Sequence, residues 1–343
     1  MRKNGSVSLF AFGPSRGPSW QIGLQAGASM VLPIVVMTIL GNPQLGYIAG
    51  SGAFVALFGR AFPVAERARV LVFVTAGLIV SGVLGVAVAH SPVLVNVGIV
   101  VVAIVASGLC FGYRIGVPGP LFFMITFGLS ATVMRAAPIA PSMYVLAFVA
   151  GCVFAYLVTL APLVRAADRA VTARPIRELL PGPAWDTDAR MLVLRVAIVA
   201  VLGVLIGTFL DTDRAYWIAG AAIAVIGLTA DRRVAMQRAL HRVLGTIVGA
   251  GVYVLLSLLH PSGILLALLL GVLQFLIELV VARHYALALT MITPLVLLLV
   301  GAATGSIGDL GVAMERVIDT LVGAALGGLS GLLHPRAAPV REP

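Results

Sequence analysis

Residues 263–302, GILLALLLGVLQFLIELVVARHYALALTMITPLVLLLVGA, hold two apolar runs parted by the short break Ala282-Arg283-His284. Each run comes close to the roughly twenty apolar residues that a helix needs to cross a bilayer. Neither shows the two-residue alternation or the ten-residue length of a membrane-barrel strand. Lipid offers backbone amides no partner, so only helices and closed barrels span it. The two runs therefore read as transmembrane helices at 262–281 and 285–302.

Outward from this pair the same pattern recurs. Further spans are expected at 21–40, 44–59, 70–89, 92–112, 118–134, 142–164, 191–210, 215–230, 242–260 and 311–333. The second and eighth of the twelve are short. Composition agrees: 60% of the 343 residues are hydrophobic, 10% are charged and the mean hydropathy is +1.09. A soluble domain carries roughly 25% charged residues, so this chain needs lipid as its solvent. The fold class is all-α, a polytopic transmembrane bundle.

Basic residues set the orientation. With the N-terminus placed in the cytoplasm, clusters such as Arg60, Arg67 and Arg69, Arg165 to Arg190, and Arg232, Arg233 and Arg238 all fall on the cytoplasmic side. The outer loops hold only Arg135 and Arg214. The net charge of +10 thus records topology and contact with anionic lipid headgroups rather than nucleic-acid binding. The first apolar run is longer than a signal-peptide core and reads as an uncleaved helix. Both ends are expected in the cytoplasm of a multi-pass protein, and the Arg-rich, Ala/Gly/Val-rich usage suggests a bacterial plasma membrane. Cys110 and Cys152 lie within apolar runs and imply no disulfide.

The expected organisation is a cytoplasmic segment 1–20, a six-helix repeat at 21–164, a cytoplasmic linker at 165–190, a second six-helix repeat at 191–334 and a tail at 335–343. The halves resemble one another. Shifting by 170 places Ile48-Ala49-Gly50 on Ile218-Ala219-Gly220 and His90 on His260; by 167, Met124-Ile125-Thr126 on Met291-Ile292-Thr293; by 172, Gly151 on Gly323. An even number of spans per repeat makes the halves parallel, related by an axis along the membrane normal.

The second half carries a distinctive set: Arg195; Tyr216-Trp217; Arg242, Gly245-Thr246 and Gly249; Ile292-Thr293-Pro294; and Arg316, Asp319-Thr320 and Gly323. Over about 190–334 this set resembles the fusaric acid resistance protein family, which includes the aromatic acid exporters and is related in fold to the plant aluminium-activated malate channels. The resemblance implies a membrane transporter rather than an enzyme. Two departures stand out. Many members carry a large soluble domain between the halves, where only the linker stands here. The first half lacks the arginines, with Gln25, Val72 and Tyr144 where Arg195, Arg242 and Arg316 would fall.

Ionisable groups at membrane depth are costly and default to functional hypotheses. Arg195, Arg242 and Arg316 are candidate anion contacts, because a guanidinium fork matches a carboxylate. The family-like Tyr216, Trp217 and Thr293 join them as a candidate substrate site. Asp319, Glu315 and Glu278 are candidates for proton coupling or gating. Glu315 and Arg316 share a helix face with Asp319, and Arg283 or Arg242 is the expected partner of Glu278. The competing readings are a self-neutralised Arg316–Asp319 pair and arginines that snorkel to headgroups. Gly245, Gly249, Gly323 and Gly327 form small-residue faces for close helix packing, as do Gly77, Ser81 and Gly85. These faces are expected where the two halves meet. Pro33 and Pro294 interrupt helices. Asp211-x-Asp213 reads as a solvated helix end. No nucleotide, metal or nucleophile motif is present, so no cofactor is expected.

The function expected is efflux of small organic anions such as aromatic carboxylates, driven by membrane potential or an ion gradient. The alternatives are an anion channel and a non-transporting accessory or scaffold subunit. A homodimer and a lone chain are equally compatible with the sequence.

Overall fold

The computed structural model describes residues 19–165, 172–210, 214–228 and 231–333. Among them the chain is helical, with no strand. The long elements are α1 (Ser19–Ile39), α2 (Pro43–Ser51, continued by a 3-10 turn at Gly52–Leu57), α3 (Val64–Val88), α4 (Pro92–Gly112), α5 (Leu121–Ala136) and α6 (Pro141–Leu160). After a linker with one helical turn at Ile176–Leu179 come α7 (Thr187–Leu210), α8 (Ala215–Ile226), α9 (Arg232–Ser257), α10 (Gly263–Val280), α11 (Tyr285–Thr304) and α12 (Leu310–Ser330). Nine of the described helices are long and apolar enough to cross a bilayer, and α5 and α8 are shorter apolar helices. The protein is thus a polytopic membrane bundle.

Helix starts follow from local chemistry. Pro43, Pro92 and Pro141 open α2, α4 and α6, where a missing N–H costs nothing. Asp231 and Asp309 accept first-turn amides of α9 and α12, and Asp186 accepts Ala189 N–H at 2.7 Å at the head of α7. The caps at Asp186 and Asp231 explain why α7 and α9 begin four and ten residues before their apolar runs, and α3 likewise starts early, directly after Pro63: hydropathy registers only the part that meets lipid. The turn at Gly116 to Pro120 likewise delays α5 to Leu121. On α4, Val93, Val97, Val101, Val105 and Leu109 form an exposed stripe at four-residue spacing, while Val95, Ile99, Ala103 and Cys110 are buried opposite. Such a stripe belongs against acyl chains.

Packing within the two halves recurs helix for helix. In the first, α1 packs on α2, α2 on α6, α3 on α5 and α6, and α4 on α5; in the second, α7 packs on α8, α8 on α12, α9 on α11 and α12, and α10 on α11. The halves meet along two seams, α1 with α10 and α4 with α7, joined by contacts of α5 with α8 and α2 with α11.

The small-residue faces are not at those seams. A Cβ on Gly245 or Gly249 would strike α11 at Ala286 O or the Thr293 side chain, and one on Gly323 or Gly327 would strike α8 at Ile218 O or Ala222 O. Gly77 and Gly85 likewise face Phe123 and Phe127 of α5. The expectation that these faces join the halves is corrected: they tighten each half internally, because close backbone approach is needed where helices pack side by side over their length. The α1–α10 seam uses other glycines, Gly27 and Gly271.

The linker is strapped to the bundle. Arg174 donates to both oxygens of Glu66 at 2.8 Å each, Asp186 pairs with Arg114 at 3.2 Å, and Trp185 lies over Gly108 and Gly112 of α4. Arg336, Arg341, Asp211 and Asp213 fall outside the described residues.

Candidate functional site

The site is built where α8 and α12 lie side by side. Gly323 allows the approach, since its α-carbon faces Ile218 O with no room for a side chain. One and two turns earlier on α12, Asp319 and Arg316 therefore face the start of α8. Arg316 is buried, and its guanidinium stacks over the Trp217 ring at 4.0 Å. Trp217 in turn packs against Tyr216, with ring centroids 4.4 Å apart. A desolvated cation over an indole face is held by about 2 kcal/mol. Gly128 of α5 gives Tyr216 its space, so the first half supplies one wall.

Arg316 and Asp319 do not neutralise each other. Asp319, 1% exposed, accepts from Arg214 instead, with Nη2 at 2.8 Å and Nε at 3.0 Å from the same oxygen, Oδ1. Arg214 also reaches the Glu315 carbonyl at 3.4 Å. The reading of Arg214 as an outer-loop charge is corrected: it stands at the first turn of α8, largely buried, because a long side chain there reaches α12 more easily than water. Glu315 is half-buried, and its side chain is not part of this pair.

Among the described residues, Arg316 Nε and Nη1 and Asp319 Oδ2 have no hydrogen-bond partner, and neither does the neighbouring Thr320 hydroxyl. An uncompensated ion in a low-dielectric interior costs several kcal/mol. Arg242 of α9, also buried, donates to the Tyr285 hydroxyl at 2.9 Å and has an unpartnered Nε. Arg242 and Tyr285 lie close enough to act electrostatically on Arg316, and Arg238 stacks on Tyr285 at 5.8 Å. The cluster thus sets Arg214, Arg242 and Arg316 against the one buried carboxylate of Asp319. Its excess is positive, and three of its groups are closed off from solvent in this conformation.

Two candidates lie elsewhere. Arg195 is fully buried and donates to Ser330 at 3.2 Å. Ser330 is about 20 Å along α12 from Arg316 at the helical rise, so Arg195 does not share the Arg316 cluster, and burial rules out snorkelling. Thr293 is buried against Gly249 at the α9–α11 contact.

Glu278 pairs with neither Arg283 nor Arg242. It is buried on α10, accepts from Gln274 at 3.0 Å and forms an ion pair with Arg60 of the first half. The turn at 281–284 carries Arg283 to an exposed position, while Arg60 leaves α2 directly beside the α1–α10 seam. Burial, then the nearby Arg67 charge, draws the Arg60 guanidinium down to about 10, which keeps it cationic at neutral pH.

Arg67 is a buried charge that the hydropathy reading left in a loop. It donates to Ala56 O at 2.6 Å, Phe58 O at 3.0 Å and Gln25 Oε1 at 2.9 Å. It closes the end of the broken second helix against Gly59, whose φ is +72°. Arg238 meets Gly227, φ +57°, in the same way after α8. The signal was in the sequence: a shift of 171 places Arg67 on Arg238, and 168 places Gly59 on Gly227.

Residues 196–329 match the fusaric acid resistance protein-like family, a stretch that contains Tyr216, Trp217, Arg242, Arg316 and Asp319. The chain is also similar to the uncharacterized membrane protein YvaC of Bacillus subtilis (strain 168), at 28% identity over 150 residues. That alignment takes in 43% of this chain and 24% of the relative, so the chain spans about a quarter of the length of the curated protein it matches. No solved structure matches. The likeness of this membrane protein to the fusaric acid resistance protein-like family lies in its second half.

Proposed function

We propose that this fusaric acid resistance-like protein carries small organic anions such as aromatic carboxylates out across a bacterial plasma membrane, with Arg316 as the principal anion contact. The family match supports a transport or efflux role. One observation carries the finer reading: Arg316 is buried, stacked on Trp217, and has two N–H groups without acceptors. A carboxylate is the group that satisfies such a fork, and the Trp217–Tyr216 surface suits a flat apolar body beside it. Arg242 adds positive potential on the α9 side.

The driving force fits the charge. An inside-negative potential favours exit of a monovalent anion by about 2.3 kcal/mol per 100 mV, so a downhill exporter needs no nucleotide. Asp319, Glu315 and Glu278 remain the groups through which a proton would be coupled.

The test is flux of labelled benzoate and aliphatic carboxylates in proteoliposomes, with potential and pH gradient set independently. Flux that follows the potential and is lost in Arg316→Gln supports the reading. Equal flux in Arg316→Gln and wild type at matched incorporation overturns the assignment of the site. No flux of any acid by folded protein favours an accessory role instead.

A further inference from the structure

Basic side chains gather at the corner where α9 enters the bundle and α10 gives way to α11. No Asp or Glu occurs between Asp231 and Glu278, nor between Glu278 and Asp309. Asp231 is engaged with the first-turn amide of Arg233, and Glu278 with Arg60. Tyr285, the first residue of α11, organises the cluster. Its hydroxyl accepts from Arg242 at 2.9 Å, and its ring lies 5.8 Å from the Arg238 guanidinium. Beside it His284 stacks on His241, with ring centroids 5.6 Å apart, and Arg283 is exposed. Charge of one sign is thus drawn from two helices into one place.

The two histidines are oriented. His284 Nδ1 accepts Leu287 N–H at 3.1 Å as the cap of α11. The neutral ring therefore carries its proton on Nε2 and stays a donor. The stack on His241 fixes the plane of that ring.

Depth adds the second observation. α11 starts at this corner, whereas α9 starts at Arg232, about 15 Å further along its axis from Arg242. This is the level at which an apolar span meets headgroups. The contacts of Gly245 with Ala286 and Leu289, and of Gly249 with Thr293, show α9 and α11 running side by side in the same direction. Leu244 and Leu287 therefore stand at one height, just inside the cluster, and both are exposed, as is Val248 one turn deeper. A basic cluster bordering an uncovered apolar stripe matches one molecule in both its parts. A soluble anion uses only the charges. A zwitterionic lipid brings a cation of its own into a cluster already in positive excess.

We propose that this corner of α9 and α11 is a binding site for an anionic phospholipid. Arg283 and His284 contact the headgroup phosphate, and an acyl chain lies along Leu244, Val248 and Leu287. His241 is a positioning residue, acting through the stack. Basic pockets between membrane helices hold anionic headgroups in this way. The site goes beyond the anion-carrier reading and does not rest on it.

The experiment is thermal unfolding of the full chain in neutral-detergent micelles, titrated with phosphatidylglycerol, with phosphatidylcholine and with inorganic phosphate. A ligand held by the folded state alone raises the midpoint in a concentration-dependent way. Phosphatidylglycerol should raise it saturably, and the other two at equal concentration should not. Arg283→Gln should increase the phosphatidylglycerol concentration for half effect by about fivefold, the worth of one basic residue at a lipid surface. His284→Asn keeps a capping side chain at the head of α11 and should increase it further. Arg233→Gln removes another exposed charge, about 12 Å along α9 from His241. Being more than a Debye length away, it should change the half-effect concentration by less than about twofold. Each titration is referred to its own starting midpoint, so a change in basal stability does not enter.

Equal changes in Arg283→Gln and Arg233→Gln would mean attraction to overall charge and overturn the site. A rise with inorganic phosphate equal to that with phosphatidylglycerol would make it a free-anion site and overturn the lipid assignment. No saturable rise with phosphatidylglycerol overturns it outright. None of these outcomes bears on the flux that tests Arg316.

Discussion

The two halves solve the same packing problem and fill the same place differently. In both, a glycine of the sixth helix lies against the backbone of the second: Gly151 on Ala49 O in the first half, Gly323 on Ile218 O in the second. One and two turns away the chemistry parts. In the second half Arg316 stacks on Trp217 beside the Arg214–Asp319 pair. In the first, Tyr144 donates to Ser130 at 3.1 Å, and with Tyr47, Ser51 and Leu299 lines a cavity of about 10 Å³, room for one water at most. One framework thus holds a charged, unmatched site on one side and a neutral, satisfied one on the other. Glycines permit the close helix contact in both halves, and the anion site proposed above draws on Arg316 and Arg242 of the second half alone. The first half still contributes Gly128 beneath Tyr216, and Arg60 across the seam to Glu278.

Breaking that seam should give the largest effect on stability. Arg60→Ala strands the buried Glu278 carboxylate and should cost about 3–5 kcal/mol, read as a lowered thermal midpoint in detergent. Arg60→Ala combined with Glu278→Leu should recover most of the loss, and failure to recover would mean that the pair is not what joins the halves there.

The comparison itself turns on Arg316→Gln, which should lower anion flux by about 10-fold to 100-fold, the range for a lost charge-assisted hydrogen bond. Arg233→Gln, an exposed charge at the start of α9, should leave flux unchanged and shift stability by no more than about 0.5 kcal/mol.

Gly151→Ala and Gly323→Ala should destabilise alike, by about 1–3 kcal/mol for overpacking, measured by thermal unfolding. A large effect in one half only would show that the matched geometry is not a shared requirement. The smallest effect should come from Tyr144→Phe, which removes one neutral hydrogen bond worth about 1 kcal/mol and should not alter flux. Loss of flux here to the extent seen in Arg316→Gln would make the first half an equal partner in the pathway.

Much of this was legible before any coordinates. The helices, the shortness of the second and eighth, and the buried status of Arg316, Asp319 and Glu278 all follow from what lipid does to polar groups. The partners were not legible. Arg214 looked like an outer-loop charge because hydropathy averages over neighbours and cannot follow a side chain that folds back onto another helix. Glu278 had Arg283 close by in sequence and took Arg60 from more than two hundred residues away. Arg67 left a trace in the repeat, through Arg238, that hydropathy passes over.

By itself the sequence determined that this chain lives in a bilayer as helices, and that Arg316, Asp319 and Glu278 of its second half sit at membrane depth at a cost. Hydrophobic transfer and backbone satisfaction are local sums over residues, and a sequence states them directly. The tertiary structure alone decided that Asp319 belongs to Arg214 and not to Arg316, that the glycine faces close each half rather than join the two, and that Arg195 stands apart from the site. Those outcomes depend on which helices are neighbours and at what height. A side-chain pair forms by distance in space, and helical periodicity fixes the face a residue occupies but not what stands opposite it.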